Sequence, residues 1–272
     1  MYCLFGVKNQ FLSLQANFDL SLLKKNMRIL GVIPARFGSS RFPGKPLIDL
    51  KGKTMIQRVV EGVAQSSLLT DFIVATDDAR IYDHVSSLGA RVMMTAETHE
   101  TGTDRCAEVV ANLSDKFDVI INIQGDEPLV DARQLDQLLA AFADPNVQIA
   151  TLASRVITMD EILNTNRIKV VVDKDNYAMY FSRSPLPNFA NAKGDPQASY
   201  PFLRHIGLYA YRSEVLREIS QLAPTALEKI ESLEQLRWLY NGYAIKVVET
   251  TIETPNIDTP DDVAAVLAQL AD

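Results

Sequence analysis

Short apolar segments of β type alternate with helical segments through the first half of the chain, and this alternation limits the folds open to it. The segment VIINI at 119–123 is almost wholly apolar, as expected of a strand buried on both faces. The alternation predicts a mainly parallel sheet with helices on both faces. The predicted strands are Ile29–Ile33, Asp71–Ala75, Arg91–Met94 and Val119–Ile123, and the predicted helices are Thr54–Gln65, Ala79–Leu88, Cys106–Leu113 and Arg133–Phe142.

Polar clusters follow three of these predicted strands. PARFGSSR comes directly after the first strand, TDD after the second and QGDEP after the segment at 119–123. Ligands of parallel α/β sheets bind beyond the carboxyl ends of the strands. The three clusters therefore predict one ligand site at this edge of the sheet.

The loop at 34–47 is rich in small and basic residues. Small residues let backbone N–H groups approach phosphate oxygens. Three side chains supply positive charge: Arg36, Arg41 and Lys45. The loop is not a Walker A motif, because five residues separate Gly38 from Gly44 and Pro46 stands where Ser or Thr would bind magnesium. It also lacks GxGxxG. The loop predicts a phosphate site, with a solvated basic surface loop as the alternative.

Two aspartates are possible magnesium ligands. Asp126 follows an apolar strand, where a carboxylate could hold Mg²⁺ or belong to a simple acidic turn. Near the C-terminus, Thr259 and Pro260 predict a helix start, with Thr259 as the N-cap, and this leaves Asp258 without a capping role. Asp126 and Asp258 would suffice for a metal site if the fold brings them together.

Two further segments of the first half have both a structural and a functional interpretation. Gly102–Arg105 is typical of a helix start, but Arg105 could also contact a ribose, base or phosphate. Thr76–Asp78 is similar and less specific.

The second half carries a possible sugar site. Its predicted strands are Lys169–Val172, Ala178–Phe181, Leu208–Tyr211 and Ala244–Val248, with a predicted helix at Ala226–Tyr240. Arg and His in the segment 204–209 can bind a carboxylate, and Glu and Gln in the segment 231–237 can accept sugar hydroxyls. Glu231 and Gln235 are four residues apart, which places them on one face of the predicted helix. A solvated helix face and a structural histidine are equally good interpretations.

The ordered motifs of the chain resemble those of the 3-deoxy-manno-octulosonate (Kdo) cytidylyltransferases. The likeness runs from Met27 to the end, and the segments YFSRSPLP, FLRHIGLYAYR and ESLEQLRWL are more specific than the rest. The other matching motifs are IPARFGSSRFPGKPL, VATDD, TGTDR, NIQGDEPLV and IDTPDDV.

The resemblance implies a three-layer α/β/α fold of the nucleotide-diphosphosugar transferase type, with one mainly parallel mixed sheet, and a homodimer. It implies one domain at 27–272, with a sugar-binding and dimerising insertion around 169–240. CTP and Kdo would be the substrates and Mg²⁺ the cofactor. The implied nucleotide-binding residues are Ala35, Arg36, Lys45, Ala75, Thr76, Asp77, Thr103 and Arg105. The implied sugar-binding residues are Gln124, Arg183, His205, Tyr209, Glu231 and Gln235. The implied catalytic residues are Arg36, Lys45, Asp126 and Asp258, of which the two aspartates are the metal ligands.

Composition narrows the classes of function. The net charge is −7 with no basic stripe, which argues against a nucleic-acid surface. Cys3 and Cys106 have neither zinc spacing nor a disulfide framework, and this predicts a cytoplasmic protein. No run of eighteen apolar residues predicts a membrane span. For the segment 1–26, either Met27 is the natural first residue or the extension forms a short amphipathic helix on the domain.

Three other functions are compatible with parts of this pattern. A nicotinamide-dependent oxidoreductase could use a similar sheet, but the missing GxGxxG counts against it. A catalytically silent nucleotide-binding protein would not need both aspartates. A cytidylyltransferase for another acidic sugar, such as 8-amino-Kdo or sialic acid, is the alternative within the same class.

Overall fold

A nine-stranded mixed sheet forms the middle layer of the structure, a computed structural model that describes residues 20–38, 41–156 and 158–270. In chain order the strands are β1 Ile29–Pro34, β2 Asp49–Leu50, β3 Lys53–Thr54, β4 Asp71–Thr76, β5 Val92–Met94, β6 Val119–Asn122, β7 Ile149–Arg155, β8 Lys169–Val172, β9 Ala178–Ser182, β10 Leu203–Arg212 and β11 Ile245–Glu249. Strands β2 and β3 form a separate hairpin.

Eleven α-helices accompany the strands within the described ranges. They are α1 Leu20–Asn26, α2 Met55–Val63, α3 Ala79–Ser87, α4 Gly102–Asn112, α5 Ala132–Ala140, α6 Met159–Leu163, α7 Pro196–Ser199, α8 Ser213–Ile219, α9 Ala226–Glu231, α10 Gln235–Tyr240 and α11 Asp262–Gln269. Short 3₁₀ turns lie at Lys45–Leu47 and Ala141–Ala143.

The strand order explains why the sheet is mixed. The main path is β11-β7-β10-β6-β1-β4-β5, and β8 pairs with β10 and β9. The pairs β1–β4, β1–β6, β4–β5 and β7–β11 are parallel. Strand β10 runs antiparallel to β6, β7 and β8. The predicted mainly parallel, mixed sheet is confirmed.

Both faces of the sheet are covered, because successive residues of a strand point to opposite faces. On β1, Val32 packs in the same apolar cluster as residues of α4 and α8, whereas Ile33 packs with residues of α2 and α5. Both side chains are fully buried. Burial of such a side chain contributes about 1.5–3 kcal/mol, so the strand is fixed from two sides.

Most of the predicted elements are confirmed with small shifts of their ends, but one predicted helix is wrong. The segment predicted as a single helix over 226–240 is broken at Ser232, whose φ of 52° is left-handed. Helices α9 and α10 therefore lie on separate axes, and Glu231 and Gln235 do not share one helical face. Strand β7 is an element that the sequence analysis did not predict.

A close approach fixes the edge of the sheet where the polar clusters lie. The turn after β6 packs against the end of β1, and a Cβ at Gly125 would lie well inside contact distance of the Pro34 carbonyl oxygen. The N–H of Ile123 donates to the Val32 carbonyl at 2.8 Å, and that of Ala35 to the Ala75 carbonyl at 2.8 Å. The loops after β1, β4 and β6 are thereby held side by side.

The described part of the segment 1–26 is a helix, α1. Its Leu23 is buried and belongs to the same apolar cluster as β1, with Met27 packed against it. Residues 1–19 of that segment lie outside the described ranges. Of the described helices, none is long and apolar enough to cross a membrane.

Candidate active site

Two adjoining clefts open at the carboxyl edge of the sheet. The first, called the β1 cleft, has a volume of about 310 Å³ and lies between the loop after β1 and the start of α4. The second, called the β10 cleft, has a volume of about 400 Å³ and lies between β10 and the segments 166–168 and 254–258. Both clefts share five lining residues: Arg41, Gln124, Asp126, Gly207 and Asp258.

Asp126 and Asp258 meet at this shared wall. The Lys45 ammonium lies 2.7 Å from Asp126 Oδ2 and 3.9 Å from Asp258 Oδ1. It also donates to the Ile257 carbonyl at 2.7 Å, and its side chain is only 12% exposed. Arg41 pairs with Asp258 at 3.0 Å. The fold therefore places the two aspartates, which are far apart in sequence, around one cation.

Backbone contacts hold this arrangement. Gly44 adopts a φ of 73°, which favours glycine, and it precedes the 3₁₀ turn that carries Lys45. The Ile257 N–H donates to the Asp126 carbonyl at 2.9 Å, tying the segment before α11 to the turn after β6. The two aspartates are thus carried by backbone segments that are bonded to each other.

The start of α11 differs from the prediction, which made Thr259 the N-cap. The helix begins at Asp262. The Asp262 carboxylate accepts hydrogen bonds from the Thr259 N–H and hydroxyl at 2.8 and 3.0 Å and from the Asp258 N–H at 3.0 Å. Thr259 is therefore a donor to the first turn. The Asp258 carboxylate takes no part in this turn and is directed to Arg41 and Lys45.

The donor set at the shared wall suits a magnesium ion. Mg²⁺ in proteins is typically bound through one or two carboxylates, with water and substrate phosphates as the other ligands. Within the described ranges no group of three or more acidic, His or Cys side chains could hold a metal ion. Asp126 and Asp258 provide the two carboxylates of a typical Mg²⁺ site. The Lys45 ammonium already occupies the position of a cation beside them.

The floor of the β1 cleft contains an ion pair. Arg105 is 3% exposed, donates to Asp77 at 2.8 Å, and also contacts the Thr95 hydroxyl. Five of the eight predicted nucleotide residues line the cleft: Ala35, Arg36, Lys45, Thr103 and Arg105. Ala75, Thr76 and Asp77 are not lining residues. Asp77 instead holds the guanidinium of Arg105.

Glu234 is a residue of the β1 cleft that the sequence analysis missed. It accepts a hydrogen bond from the Thr103 hydroxyl at 3.0 Å. Burial, which disfavours the charged form, raises the pKa of Glu234 to about 7. Two other missed lining residues, Asn122 and Tyr211, each carry a buried polar atom with no protein partner among the described residues. The signal available in the sequence was an acidic side chain directly before Gln235 and an amide at the end of an apolar strand.

The predicted sugar residues separate into two groups. Gln124, His205 and Tyr209 line the clefts. Arg183, Glu231 and Gln235 do not. The Glu231 carboxylate accepts from the Ser182 hydroxyl at 2.7 Å and the Arg183 N–H at 3.0 Å. The Arg183 Nε donates to the Glu231 carbonyl at 2.8 Å. Arg183 and Glu231 thus join the end of β9 to the break after α9.

A bulge in β10 sets the side chains of the β10 cleft. Its register against β7 shifts between Ile206 and Tyr209, and bulges of this kind re-aim side chains. The Gln124 amide donates to the Gly207 carbonyl in the bulge at 2.8 Å. His205 Nε2 lies 3.0 Å from the Thr151 hydroxyl, and burial lowers the pKa of His205 to about 3. The imidazole is therefore neutral at physiological pH.

Comparisons with known proteins agree with this architecture. The sequence profile of the family described as Cytidylyltransferase matches residues 30–250. The chain is 51% identical over 250 residues to the 3-deoxy-manno-octulosonate cytidylyltransferase of Parabacteroides distasonis, covering 90% of this chain and 99% of the relative. It is 52% identical over 241 residues to the protein of the same name from Bacteroides thetaiotaomicron, covering 87% and 95%.

A solved structure has the same fold. CMP:2-keto-3-deoxy-manno-octonic acid synthetase, complexed with CTP, is 42% identical and superposes with a TM-score of 0.83 over 89% of this chain and 98% of its own. This similarity confirms the predicted fold of the nucleotide-diphosphosugar transferase type. The chain belongs to the cytidylyltransferase family, in the group of 3-deoxy-manno-octulosonate cytidylyltransferases.

Proposed function

We propose that this chain transfers CMP from CTP to Kdo and releases pyrophosphate, as a step in lipopolysaccharide biosynthesis. The names of its relatives and the CTP-bound similar structure support both substrates. The observation that carries the proposal is the shared wall of the two clefts. Asp126 and Asp258 line both, so a group at this wall can contact ligands on either side.

CTP occupies the β1 cleft in this proposal. Arg36 and Lys45 line it, and their charges suit a triphosphate. Kdo occupies the β10 cleft, with its anomeric carbon toward Gln124. The two ligands then meet at the shared wall.

The reaction is an in-line displacement at phosphorus. The anomeric 2-hydroxyl oxygen of Kdo forms a bond to the α-phosphorus of CTP, and the bond from that phosphorus to the bridging oxygen of the β-phosphate breaks. Pyrophosphate leaves with the electron pair, and the hydroxyl proton goes to solvent. Catalysis of this kind rests mainly on positioning and charge neutralisation. Arg36 and Lys45 stabilise the charge on the departing pyrophosphate.

Mg²⁺ is the proposed cofactor, held by Asp126 and Asp258. When bound, it supplies a positive charge that polarises the α-phosphate and lowers the pKa of the sugar hydroxyl. Asp126 and Asp258 would hold the metal in place of the Lys45 ammonium, which lies 2.7 Å from Asp126 Oδ2. That ammonium would then contact phosphate oxygens of CTP.

A pyrophosphate-release assay tests the proposal. The enzyme is supplied with CTP, Mg²⁺ and one acidic sugar at a time, namely Kdo, 8-amino-Kdo or sialic acid. We expect release with Kdo, and none when Mg²⁺ is withheld. Release with sialic acid but not with Kdo would contradict the assignment of the sugar.

We also propose that the protein is a cytoplasmic homodimer that pairs through the insertion at 169–240. Four large apolar side chains in this part of the chain are exposed: Met179, Leu227, Ile230 and Tyr240. Exposed apolar patches are typical of protein interfaces. Light scattering should give twice the chain mass of 30.2 kDa, and Ile230→Asp should shift the mass toward the monomer. A wild-type protein of monomer mass would refute the dimer.

A further inference from the structure

The two residues proposed to bind the triphosphate stand at opposite ends of one loop. Arg36 lies directly before Phe37, and Lys45 lies directly after Gly44. The Gly44 N–H donates to the Phe37 carbonyl at 2.9 Å and closes this loop. A displacement at phosphorus needs exact placement, because an error of about 1 Å can cost about 100-fold in rate. The spacing of the two cations therefore depends on what holds Phe37 against Gly44.

The Phe37 ring fills the space next to Gly44. A Cβ at Gly44 would lie 3.0 Å from the Phe37 Cζ, and the φ of 73° at Gly44 also disfavours a side chain there. Phe37 is itself half-buried and packs against the apolar cluster that contains Ile33 of β1 and Ile81 of α3. The ring therefore ties the far end of the loop to the core of the domain.

Arg80, in the first turn of α3, stacks on the Phe37 ring. Its guanidinium carbon lies 3.3 Å from the ring centroid, which is a cation–π contact. Asp78, the N-cap of α3, fixes the same guanidinium by accepting from Nε at 2.9 Å and from Nη2 at 2.6 Å. The ring is thus supported by a group that lies outside the loop.

An equivalent ion pair at the start of α5 has no such ring. The sequence Asp-Ala-Arg recurs at 131–133, where Asp131 caps α5 and accepts from Arg133 Nε and Nη2 at 3.0 and 2.6 Å. Among the described residues, no aromatic ring lies under Arg133. The ion pair alone is therefore a feature of both helix starts, and the contact with Phe37 is what distinguishes Arg80.

We propose that Phe37 is a positioning residue for the triphosphate and that Arg80 holds its ring in place. The ring fixes the spacing between Arg36 and Lys45, so that both charges reach the β- and γ-phosphates of one CTP. The inference rests on the proposed function. It adds two residues to the machinery for CTP, although neither Phe37 nor Arg80 lines either cleft.

Equilibrium binding of CTP and of CMP, measured by calorimetry with Mg²⁺ and without a sugar, tests the proposal. CMP lacks the β- and γ-phosphates, so its affinity reports on the rest of the cleft. Phe37→Leu keeps an apolar side chain but loses the ring, and Phe37→Tyr keeps the ring. Arg80→Gln removes the stacked cation, alone and combined with Phe37→Leu. Arg133→Gln is the matched control.

We expect Phe37→Leu to raise the Kd for CTP about 10-fold, as for the weakening of one charged hydrogen bond, and to leave the Kd for CMP unchanged. Arg80→Gln should raise the Kd for CTP about 2- to 5-fold, the range for an exposed cation–π contact. It should add nothing in the Phe37→Leu background, because residues in contact are not additive. Phe37→Tyr and Arg133→Gln should bind both nucleotides as wild type does.

Two results would overturn the inference. One is an equal rise in the Kd for CTP and for CMP in Phe37→Leu, which would make the ring a structural residue only. The other is an affinity for CTP in Arg80→Gln that equals that of Arg133→Gln. If Phe37→Leu does not fold, this second comparison decides, because both arginines are on the surface. A wild-type protein that binds CTP but releases no pyrophosphate with Kdo is a different failure, since it refutes the proposed function itself.

Discussion

The two clefts share a wall but are built from different kinds of strand. The β1 cleft lies at the carboxyl ends of parallel strands. Most of its lining comes from the loops after β1 and β6 and from the start of α4, and Gly207, Tyr209, Tyr211, Glu234 and Asp258 complete it. The β10 cleft depends on an antiparallel strand with a bulge and on residues from four other parts of the chain. Position along a parallel sheet is set by topology, whereas side-chain direction along a bulged strand is set by local geometry.

The largest expected effect lies at the wall common to both clefts. Asp126→Asn and Asp258→Asn should each reduce turnover by orders of magnitude, because the amide keeps the shape but loses the charge that holds a hard cation. The double variant should be little worse than either single one, since groups that act as a unit are not additive. The turnover numbers of the two single variants and the double variant, measured across a magnesium titration, test this prediction.

Asp261→Asn is the matched control for these variants, because Asp261 is exposed and lines neither cleft. It should keep normal turnover. Near-normal turnover in Asp258→Asn at ordinary magnesium would leave Asp258 as an ion-pair partner only, and the two-aspartate site would be wrong.

Substitution of two glycines, Gly125 and Gly207, compares how tightly the turn after β6 and the bulge of β10 are packed. An added methyl group at Gly125 would overlap the Pro34 carbonyl, whereas one at Gly207 in the bulge would meet nothing within 4 Å. Overpacking costs about 1–3 kcal/mol, and each kcal/mol lowers the Tm of a chain of this size by about 2–4 °C. Thermal melts should show a clear loss for Gly125→Ala and almost none for Gly207→Ala. Equal losses would mean that the β1 cleft is no more tightly packed than the β10 cleft.

Substitution of Arg183 tests whether this residue has a structural role or binds the sugar. Arg183→Ala removes the donor to three carbonyl oxygens and leaves some of them unpaired. We expect a Tm lower by a few degrees and a nearly unchanged KM for Kdo in the folded protein. A raised KM with an unchanged Tm would instead support the sugar-binding role that the resemblance implied.

The last prediction concerns the pH dependence of stability due to Glu234. Its pKa is raised by burial to about 7, above the ordinary value of 4.5, so the folded state binds this proton more tightly than the unfolded state. The associated stability is complete below about pH 4.5 and is lost as the pH rises through 7. Glu234→Gln removes this loss.

The linked change in stability between pH 5 and pH 8 is about 2–3 kcal/mol, so the Tm of Glu234→Gln relative to wild type should rise by about 5–10 °C over this range. Melts of both proteins at these two pH values give the comparison. A constant difference in Tm would show that Glu234 titrates normally in the folded protein.

The difference between loops after parallel strands and a bulged antiparallel strand also explains which site residues the sequence could predict. Asp126, Lys45 and Arg36 follow parallel strands or their loops, and the rule for such sheets predicted their common edge. Arg183 was predicted as a cleft residue from resemblance alone, whereas Glu231 and Gln235 were also predicted from their spacing on one assumed helix. The helix break at Ser232 depends on the left-handed backbone of this one residue, and no Gly or Pro in the sequence at that point predicts it.

Strand β10 shows the same limit at the level of side-chain direction. The segment FLRHIGLYAYR was recognised, but its bulge decides that Arg204 and His205 line the β10 cleft whereas Tyr209 lines the β1 cleft. A bulge at Gly207 cannot be inferred from alternation of apolar residues. Glu234 was missed for a related reason, because the prediction of one continuous helix over 226–240 gave the wrong face.

The central claim is that Asp126 and Asp258 hold one metal ion at the wall between the two ligands. A crystal of the protein with CTP and Mn²⁺ in place of Mg²⁺ tests it through the anomalous signal of the manganese. We predict one peak about 2.1 Å from a carboxylate oxygen of each aspartate, with the Lys45 ammonium moved from Asp126 to a phosphate oxygen. An ammonium that remains between the two aspartates, with the manganese bound elsewhere, would contradict the claim.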